Sequence, residues 1–188
     1  LDMATCAKQT FLETVDRVLL KPRNWEYKLQ FTGPTGTNAV EAALKLARQV
    51  KGRSNIISFT HGFHGVSGGS LAVTANEKFR QAAGVALSNT TFMPFDGYFG
   101  PDVDTIVYLE KMLDDASSGL DLPAAIIVET VQGEGGVNVA SWRWLKELTY
   151  GPPGEYCIIT RTYDSFKRNL LPQLTRMIGS DVKYYSGK

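Results

Sequence analysis

The sequence contains 188 residues, 43% of them hydrophobic and 21% charged, which is enough for one substantial folded domain of ordinary composition. Lysine and arginine outnumber aspartate and glutamate by only 20 to 19, and no basic run carries interleaved aromatic residues, which argues against nucleic-acid binding. The apolar segments are too short to span a bilayer, and residues 1–8 lack the features of a secretory signal. We therefore expect a cytoplasmic protein with no membrane or nucleic-acid partner.

The pattern of apolar residues predicts strands that alternate with helices. Helical periodicity is found at residues 2–20, 38–51, 102–116 and 140–148, and a further helix is expected to start within residues 70–75. Short apolar or β-branched runs predict strands at residues 27–31, 55–59, 91–95 and 124–128. Asp2 is the expected N-cap of the first helix, residues 21–24 its end, and Gly52 the end of the second helix. This alternation is typical of an α/β fold with a mostly parallel sheet, in which ligands bind at the carboxyl ends of the strands.

The two ends of the sequence indicate a fragment of a longer protein. The chain starts at Leu1 rather than methionine, and its composition changes from Thr149 onward, where Gly151-Pro152-Pro153-Gly154 is a strong break. The cysteines, Cys6 and Cys157, lie far apart and match no metal-binding or redox spacing, so we interpret them as reduced thiols.

Three loops that follow predicted strands carry the chemically informative residues. The first, Thr35-Gly36-Thr37, leads directly into the most regular helix and leaves backbone N–H groups at a helix N-terminus, where a phosphate can bind. Gly36 allows close approach of an anion, and Thr35 or Thr37 can add a hydroxyl donor. The alternative is an ordinary connection with an N-capping threonine. The loop also lacks the lysine of a nucleotide-binding loop and the spacing of a dinucleotide fingerprint.

The second loop, Thr60-His61-Gly62-Phe63-His64-Gly65, holds an aromatic ring between glycines. Such a ring can stack on a planar ligand, or it can fill the core beneath the loop. Both histidines of the chain lie here, but no cysteine or carboxylate is placed to complete a ligand set, so no metal site is expected.

The third loop, residues 129–136 (Glu-Thr-Val-Gln-Gly-Glu-Gly-Gly), begins with a carboxylate at the end of an apolar strand. Burial of that charge is costly unless a partner or a ligand satisfies it. The carboxylates, the amide and the glycines of this loop suit the polar wall of a small-molecule site, although a surface turn would also explain them.

In order and spacing, the three loops resemble those of the class III aminotransferases of fold type I, which use pyridoxal 5′-phosphate. The resemblance rests on residues 35–48 (Thr-Gly-Thr-Asn-Ala-Val-Glu-Ala-Ala-Leu-Lys-Leu-Ala-Arg), on Phe63-His64-Gly65 and on residues 129–136. It implies that residues 1–148 are an incomplete large domain of that fold, a mostly parallel sheet flanked by helices. Residues 149–188 are then an unmatched tail.

Within the family, residues 31–38, 93–100 and 118–125 resemble the branch that transfers the amino group of glutamate to aspartate semialdehyde and so forms 2,4-diaminobutyrate for ectoine synthesis. The resemblance implies glutamate as amino donor, an aldehyde as acceptor and a homo-oligomer in the full-length protein. Two alternatives stay open. One is another class III ω-amino-acid transaminase, of the ornithine or 4-aminobutyrate type, and the other is a non-catalytic remnant that binds a phosphorylated ligand.

The resemblance assigns the cofactor to the first two loops. Gly36 and Thr37 would hold its phosphate through backbone N–H groups and a hydroxyl. Phe63 would stack on the pyridine ring, with His64 beside it.

The third loop would supply the polar side of the same site. By the resemblance, Glu129 would support the polar network under the ring and Gln132 would face the phenolic oxygen. Glu134 would lie on the substrate side and pair with an arginine outside this segment.

Two essential groups of the family have no match in the sequence. The aspartate that pairs with the pyridine nitrogen should follow the next strand, where Asp164 lacks the surrounding motif. The Schiff-base lysine should come later still, and Lys183 and Lys188 lie in a tail without its motif. Because transamination needs that amine to hold the cofactor and to move the α-proton, we expect the chain alone to be inactive.

Overall fold

A computed structural model of the chain describes residues 5–150, which fall into two compact units, residues 5–31 and residues 32–150. The expectations for Asp2, for Cys157, for Asp164 and for the lysines of the tail lie outside the described residues. Among the helices of residues 5–150, none is long and apolar enough to cross a membrane.

The first unit is built on a helix that ends near its predicted position. Helix α1 covers Cys6–Val15 and is capped by the hydroxyl of Thr5, which accepts a backbone N–H from the first turn. It continues as a π-helical turn, Asp16–Leu20, and a 3₁₀ turn, Lys21–Arg23. Asn24 ends the helix in the left-handed conformation, with φ of 52°, so the predicted end is confirmed.

Residues 27–31 form no strand, and the prediction of one there is wrong. No strand lies in residues 5–31 to accept their backbone hydrogen bonds, and the side chain of Tyr27 is 65% exposed. The ring of Phe31 instead meets the ring of Phe11 edge-on at 5.9 Å and lies under the ammonium group of Lys8. A suitable composition therefore did not produce a strand here, because a strand needs a neighbour to pair with.

The centre of the second unit is a parallel sheet with the strand order β2-β1-β3. Strand β1 covers Ile56–Phe59, is buried along its whole length and pairs in parallel with β2, Thr90–Met93, and with β3, Ala125–Ile126. The predicted α/β fold with a parallel sheet is confirmed. Strand β3 is shorter than the predicted run, although the N–H of Ile127 still donates to the carbonyl of Ile57 at 2.9 Å.

The second unit also contains helices and a hairpin. The helices are α2, Gly36–Lys51; α3, Gly68–Ala72; α4, Glu77–Gln81; α5, Thr105–Asp114; and α6, Trp142–Tyr150. The hairpin pairs β4, Val131–Gln132, with β5, Asn138–Val139, in antiparallel register. Helix α2 ends at Gly52 in the left-handed conformation, as the sequence predicts, whereas α4 is not predicted by the sequence pattern.

Two clusters of side chains pack against the sheet. Val40 and Leu44 of α2 contact the buried cluster that contains Ile56 of β1. At the carboxyl end of β1, the rings of Phe59 and Trp144 meet edge-on at 5.0 Å, and Phe95 packs against both. These clusters fix α2 and α6 to the sheet, and α2, which precedes β1, presents its N-terminus at the edge where the strands end.

Candidate ligand site at the carboxyl edge of the sheet

The first turn of α2 is open to a ligand. Thr35 caps the helix by accepting a hydrogen bond from the N–H of Asn38 at 3.3 Å. The N–H groups of Gly36 and Thr37 have no acceptor within the helix, because they belong to its first turn. A Cβ atom on Gly36 would meet nothing within 4 Å. Exposed amides at the positive end of a 16-residue helix make a site for an anion.

The loop after β1 folds onto this turn. The hydroxyls of Thr37 and Ser67 lie 2.8 Å apart, and the hydroxyl of Ser70 donates to the carbonyl of Thr37 at 3.0 Å. Gly65, with φ of +125°, is so close that a Cβ atom would collide with the side chain of Thr37. The close approach therefore requires glycine at this position.

Glu41 makes a further link between α2 and the loop. One of its carboxylate oxygens accepts hydrogen bonds from the hydroxyl of Ser67 at 2.8 Å and from the N–H groups of Gly69 at 2.7 Å and Ser70 at 3.1 Å. The carboxylate thus fills the N-terminus of α3 from within the protein. Glu41 is not among the site residues predicted from the sequence, although its position four residues after Thr37 places both side chains on one face of α2.

The carboxylate of Glu129 connects the end of the third strand to the loop after the first. Its oxygen accepts the N–H of Phe63 at 2.7 Å, which gives the charge a partner. The ring of Phe63 is half-buried and meets the ring of Phe79 edge-on at 5.5 Å. The two residues that the sequence assigned to different loops are therefore neighbours in the fold.

His64 is held by its backbone, and the Nε2 atom of its ring is buried. Its N–H donates to the hydroxyl of Thr74 at 2.9 Å, and this hydroxyl also lies 2.8 Å from the carbonyl of Gly65. The imidazole Nε2 is buried with no hydrogen-bond partner among the described residues. Burial lowers the pKa of His64 from 6.5 to about 4, so that the ring is neutral at neutral pH.

The hairpin is clamped to the loop after β1 by Gln132. This side chain is fully buried, donates from Nε2 to the carbonyl of Thr60 at 2.8 Å and accepts from Nδ2 of Asn138 at 3.0 Å. Gly135 lies against the backbone of His61, where a Cβ atom would overlap the carbonyl oxygen. Glu134, in the turn of the hairpin, is exposed.

The structure brings the residues from the three loops to one edge of the sheet. The predicted site residues come from two parts of the fold. Helix α2 and the loop after β1 supply Gly36, Thr37, Phe63 and His64. The segment after β3 supplies Glu129, Gln132 and Glu134. Ser67 and Thr74 complete the hydrogen-bond network and had no distinguishing signal in the sequence. Within residues 5–150, no group of three or more metal-ligating side chains occurs.

A parallel sheet with a helix N-terminus at its carboxyl edge is an arrangement in which α/β proteins bind phosphorylated ligands. Residues 8–150 match the family Aminotransferase class-III, and the chain belongs to this family.

Two curated relatives that share one name are similar to most of the chain. Over 148 residues, the chain is 86% identical to the diaminobutyrate–2-oxoglutarate transaminase of Bordetella parapertussis and 62% identical to that of Wolinella succinogenes. These matches cover 79% of the chain but only 34% and 35% of the relatives, so the chain spans about a third of their length.

A solved structure shares the fold. The chain superposes with a TM-score of 0.62 and 26% identity on an amine transaminase from an uncultivated Pseudomonas species, crystallised in its PLP-bound form. The match covers 79% of the chain and 36% of that transaminase.

The residues at the sheet edge fit a phosphorylated pyridine. The open space at Gly36 and the first-turn amides of α2 suit a phosphate, and the half-buried ring of Phe63 offers a surface for stacking. The adjacent carboxylate of Glu129 already has a hydrogen-bond donor, so it does not leave an unsatisfied charge at the site.

Proposed function

We propose that the chain is the cofactor-phosphate segment of a diaminobutyrate–2-oxoglutarate transaminase, which moves the amino group of glutamate to aspartate semialdehyde and forms 2,4-diaminobutyrate for ectoine synthesis. The observation that carries the proposal is the closure of the loop after β1 onto the first turn of α2, through Thr37, Ser67 and Ser70. The 86% and 62% identities to transaminases of that name support the choice of substrate.

Gly36 and Thr37 bind the phosphate of pyridoxal 5′-phosphate through their backbone N–H groups. These amides point out of the helix N-terminus, and the absence of a side chain on Gly36 lets the phosphate approach them. The hydroxyl of Thr37, which the sequence also predicted as a phosphate donor, instead lies 2.8 Å from the hydroxyl of Ser67. When bound, the cofactor supplies the aldehyde that carries the amino group and the ring that withdraws electrons from the substrate.

Phe63 and His64 form the wall on which the pyridine ring lies. Phe63 is fixed by its N–H bond to Glu129, and His64 is fixed by its N–H bond to Thr74. Because burial keeps His64 neutral, it adds no positive charge beside the ring.

The segment after β3 forms the polar side of the site. Glu129 supports the network under the ring, and Gln132 orders the side that faces the phenolic oxygen by holding Thr60 and Asn138 in place. Glu134, exposed in the turn of the hairpin, lies on the substrate side.

The chain alone lacks transaminase activity, because the groups that complete the reaction belong to a longer, homo-oligomeric protein. It spans 34% of the Bordetella relative. Binding of the phosphate and stacking of the ring give affinity for the cofactor but no amine to exchange with the substrate.

Binding of pyridoxine 5′-phosphate to the whole chain tests the site, since this analogue has no aldehyde to react with surface lysines. We expect it to bind at least about tenfold more tightly than pyridoxine, because charge-assisted hydrogen bonds from amides are worth about 1.5–3 kcal/mol. Gly36→Val fills the open space and should abolish this preference. Cys6→Val, which places valine at the exposed first residue of another helix, α1, is the control. Equal affinities for the two compounds would refute the proposed site.

A further inference from the structure

The carboxylate of Glu41 occupies an unusual position beside the phosphate-binding turn. It is half-buried and its Oε1 atom receives three hydrogen bonds, from Ser67, Gly69 and Ser70. Its second oxygen faces Gly69 so closely that a Cβ atom there would collide with it. An anion supplied by the protein therefore already occupies two amides at the start of α3, those of Gly69 and Ser70.

The hydrogen bonds of Glu41 determine the direction of the neighbouring hydroxyls. A carboxylate only accepts, so Ser67 donates its single hydroxyl hydrogen to Glu41. The 2.8 Å contact between Thr37 and Ser67 must then be a hydrogen bond that Thr37 donates. The hydroxyl hydrogen of Thr37 thus points toward Ser67, and Thr37 retains its backbone N–H for an anion.

We propose that Glu41 is a positioning residue for the phosphate-binding turn. It ties residues 67–70 to α2, blocks the competing amides of Gly69 and Ser70, and sets the direction of the Thr37–Ser67–Glu41 hydroxyl chain. The phosphate is consequently directed to the backbone N–H groups of Gly36 and Thr37. This inference rests on the proposed function, since it concerns the same cofactor phosphate.

The test compares Glu41→Ala and Glu41→Gln with the unaltered chain. Affinities for pyridoxine 5′-phosphate and for pyridoxine are measured by titration calorimetry, and their ratio gives the contribution of the phosphate. We expect Glu41→Ala to lower this ratio by about tenfold, the effect of one lost charge-assisted interaction, with pyridoxine affinity unchanged. Glu41→Gln, whose amide oxygen still accepts the N–H groups of Gly69 and Ser70, should show a smaller loss. Glu110→Ala, which removes an exposed carboxylate of α5, is the control.

Hydrogen exchange and thermal unfolding separate positioning from misfolding. Faster exchange of the amides of Gly69 and Ser70 in Glu41→Ala, with a preserved cooperative melt, supports the inference. If Glu41→Ala does not fold, the ratio for Glu41→Gln decides. Two results would overturn the role of Glu41 while leaving the proposed function intact. One is an unchanged ratio in the folded variants, and the other is an equal loss of affinity for both compounds. If the unaltered chain shows no preference for the phosphorylated compound, the proposed function itself is overturned.

Discussion

At the scale of single residues, most polar side chains of the site form hydrogen bonds with other groups of the same chain. Glu129 accepts the N–H of Phe63, Gln132 bonds to the carbonyl of Thr60, and the hydroxyl of Thr74 holds the backbone of His64. These bonds fix the loop after β1 before any ligand arrives. Preorganisation of this kind lowers the entropic cost of ordering a loop on binding.

The buried imidazole of His64 predicts that the chain loses stability in mild acid. Its pKa is about 4 in the folded chain against 6.5 when exposed, so between these values the unfolded chain binds a proton that the folded chain does not. The contribution of His64 to the free energy of unfolding is constant above pH 6.5, falls as the pH drops below 6.5 and is fully lost only well below pH 4. Between about pH 7.5 and about pH 5.0, the loss should be about 2 kcal/mol.

Urea unfolding of the chain and of His64→Gln at both pH values measures this effect. The variant, which cannot titrate, should lose less stability on acidification than the unaltered chain, while His61→Gln, at an exposed histidine, should behave like the unaltered chain. Equal losses in the chain and in His64→Gln would contradict the assignment.

The candidate site could be predicted from the sequence only where its residues lie in recognisable local patterns. Gly36, Phe63 and Glu129 each follow a strand or precede a helix, and parallel strands bring such positions to one edge. Glu41 could not be recognised in this way, because its hydrogen-bond partners are 26 to 29 residues further along the chain. Its importance depends on tertiary contacts that no local pattern contains.

At the scale of elements, helix α2 and strand β1 follow their local signals and the segment at residues 27–31 does not. The cap at Thr35 and the left-handed Gly52 bound α2, and the β-branched run forms the buried strand β1. Residues 27–31 have a strand-like composition but no partner strand within residues 5–31. Pairing of strands is a non-local event, so composition alone could not decide it.

Because Gln132 links the hairpin to the loop after β1 through two hydrogen bonds, we expect its replacement to destabilise the fold. Gln132→Met keeps the size of the side chain but leaves the carbonyl of Thr60 and the amide of Asn138 without this partner. We expect a loss of about 1–3 kcal/mol in the free energy of unfolding, the cost of unpaired buried polar groups.

Denaturant titration provides the measurement for this clamp. The same substitution at Gln81, an exposed glutamine of α4 that bonds to Glu77, should change the stability by less than about 0.5 kcal/mol. Similar losses at both positions would show that the clamp contributes nothing specific.

At the scale of the whole molecule, the chain corresponds to about a third of the length of the transaminases that it matches. The family match covers residues 8–150, and the chain spans about 34% of the Bordetella relative. The described chain has two units, residues 5–31 and 32–150. The parallel sheet and the proposed phosphate site both lie in the second unit. Turnover is therefore expected only when the remaining groups of the reaction are provided.

A chimera tests the central claim most directly. The 148 matched residues of this chain replace their counterparts in the Bordetella parapertussis transaminase, and the glutamate-dependent formation of 2,4-diaminobutyrate from aspartate semialdehyde is measured. We predict turnover by the chimera, none by the chain alone, and a loss of cofactor affinity in a chimera with Gly36→Val. A folded chimera that turns over only ornithine or 4-aminobutyrate, or that shows no turnover with cofactor present, would contradict the account.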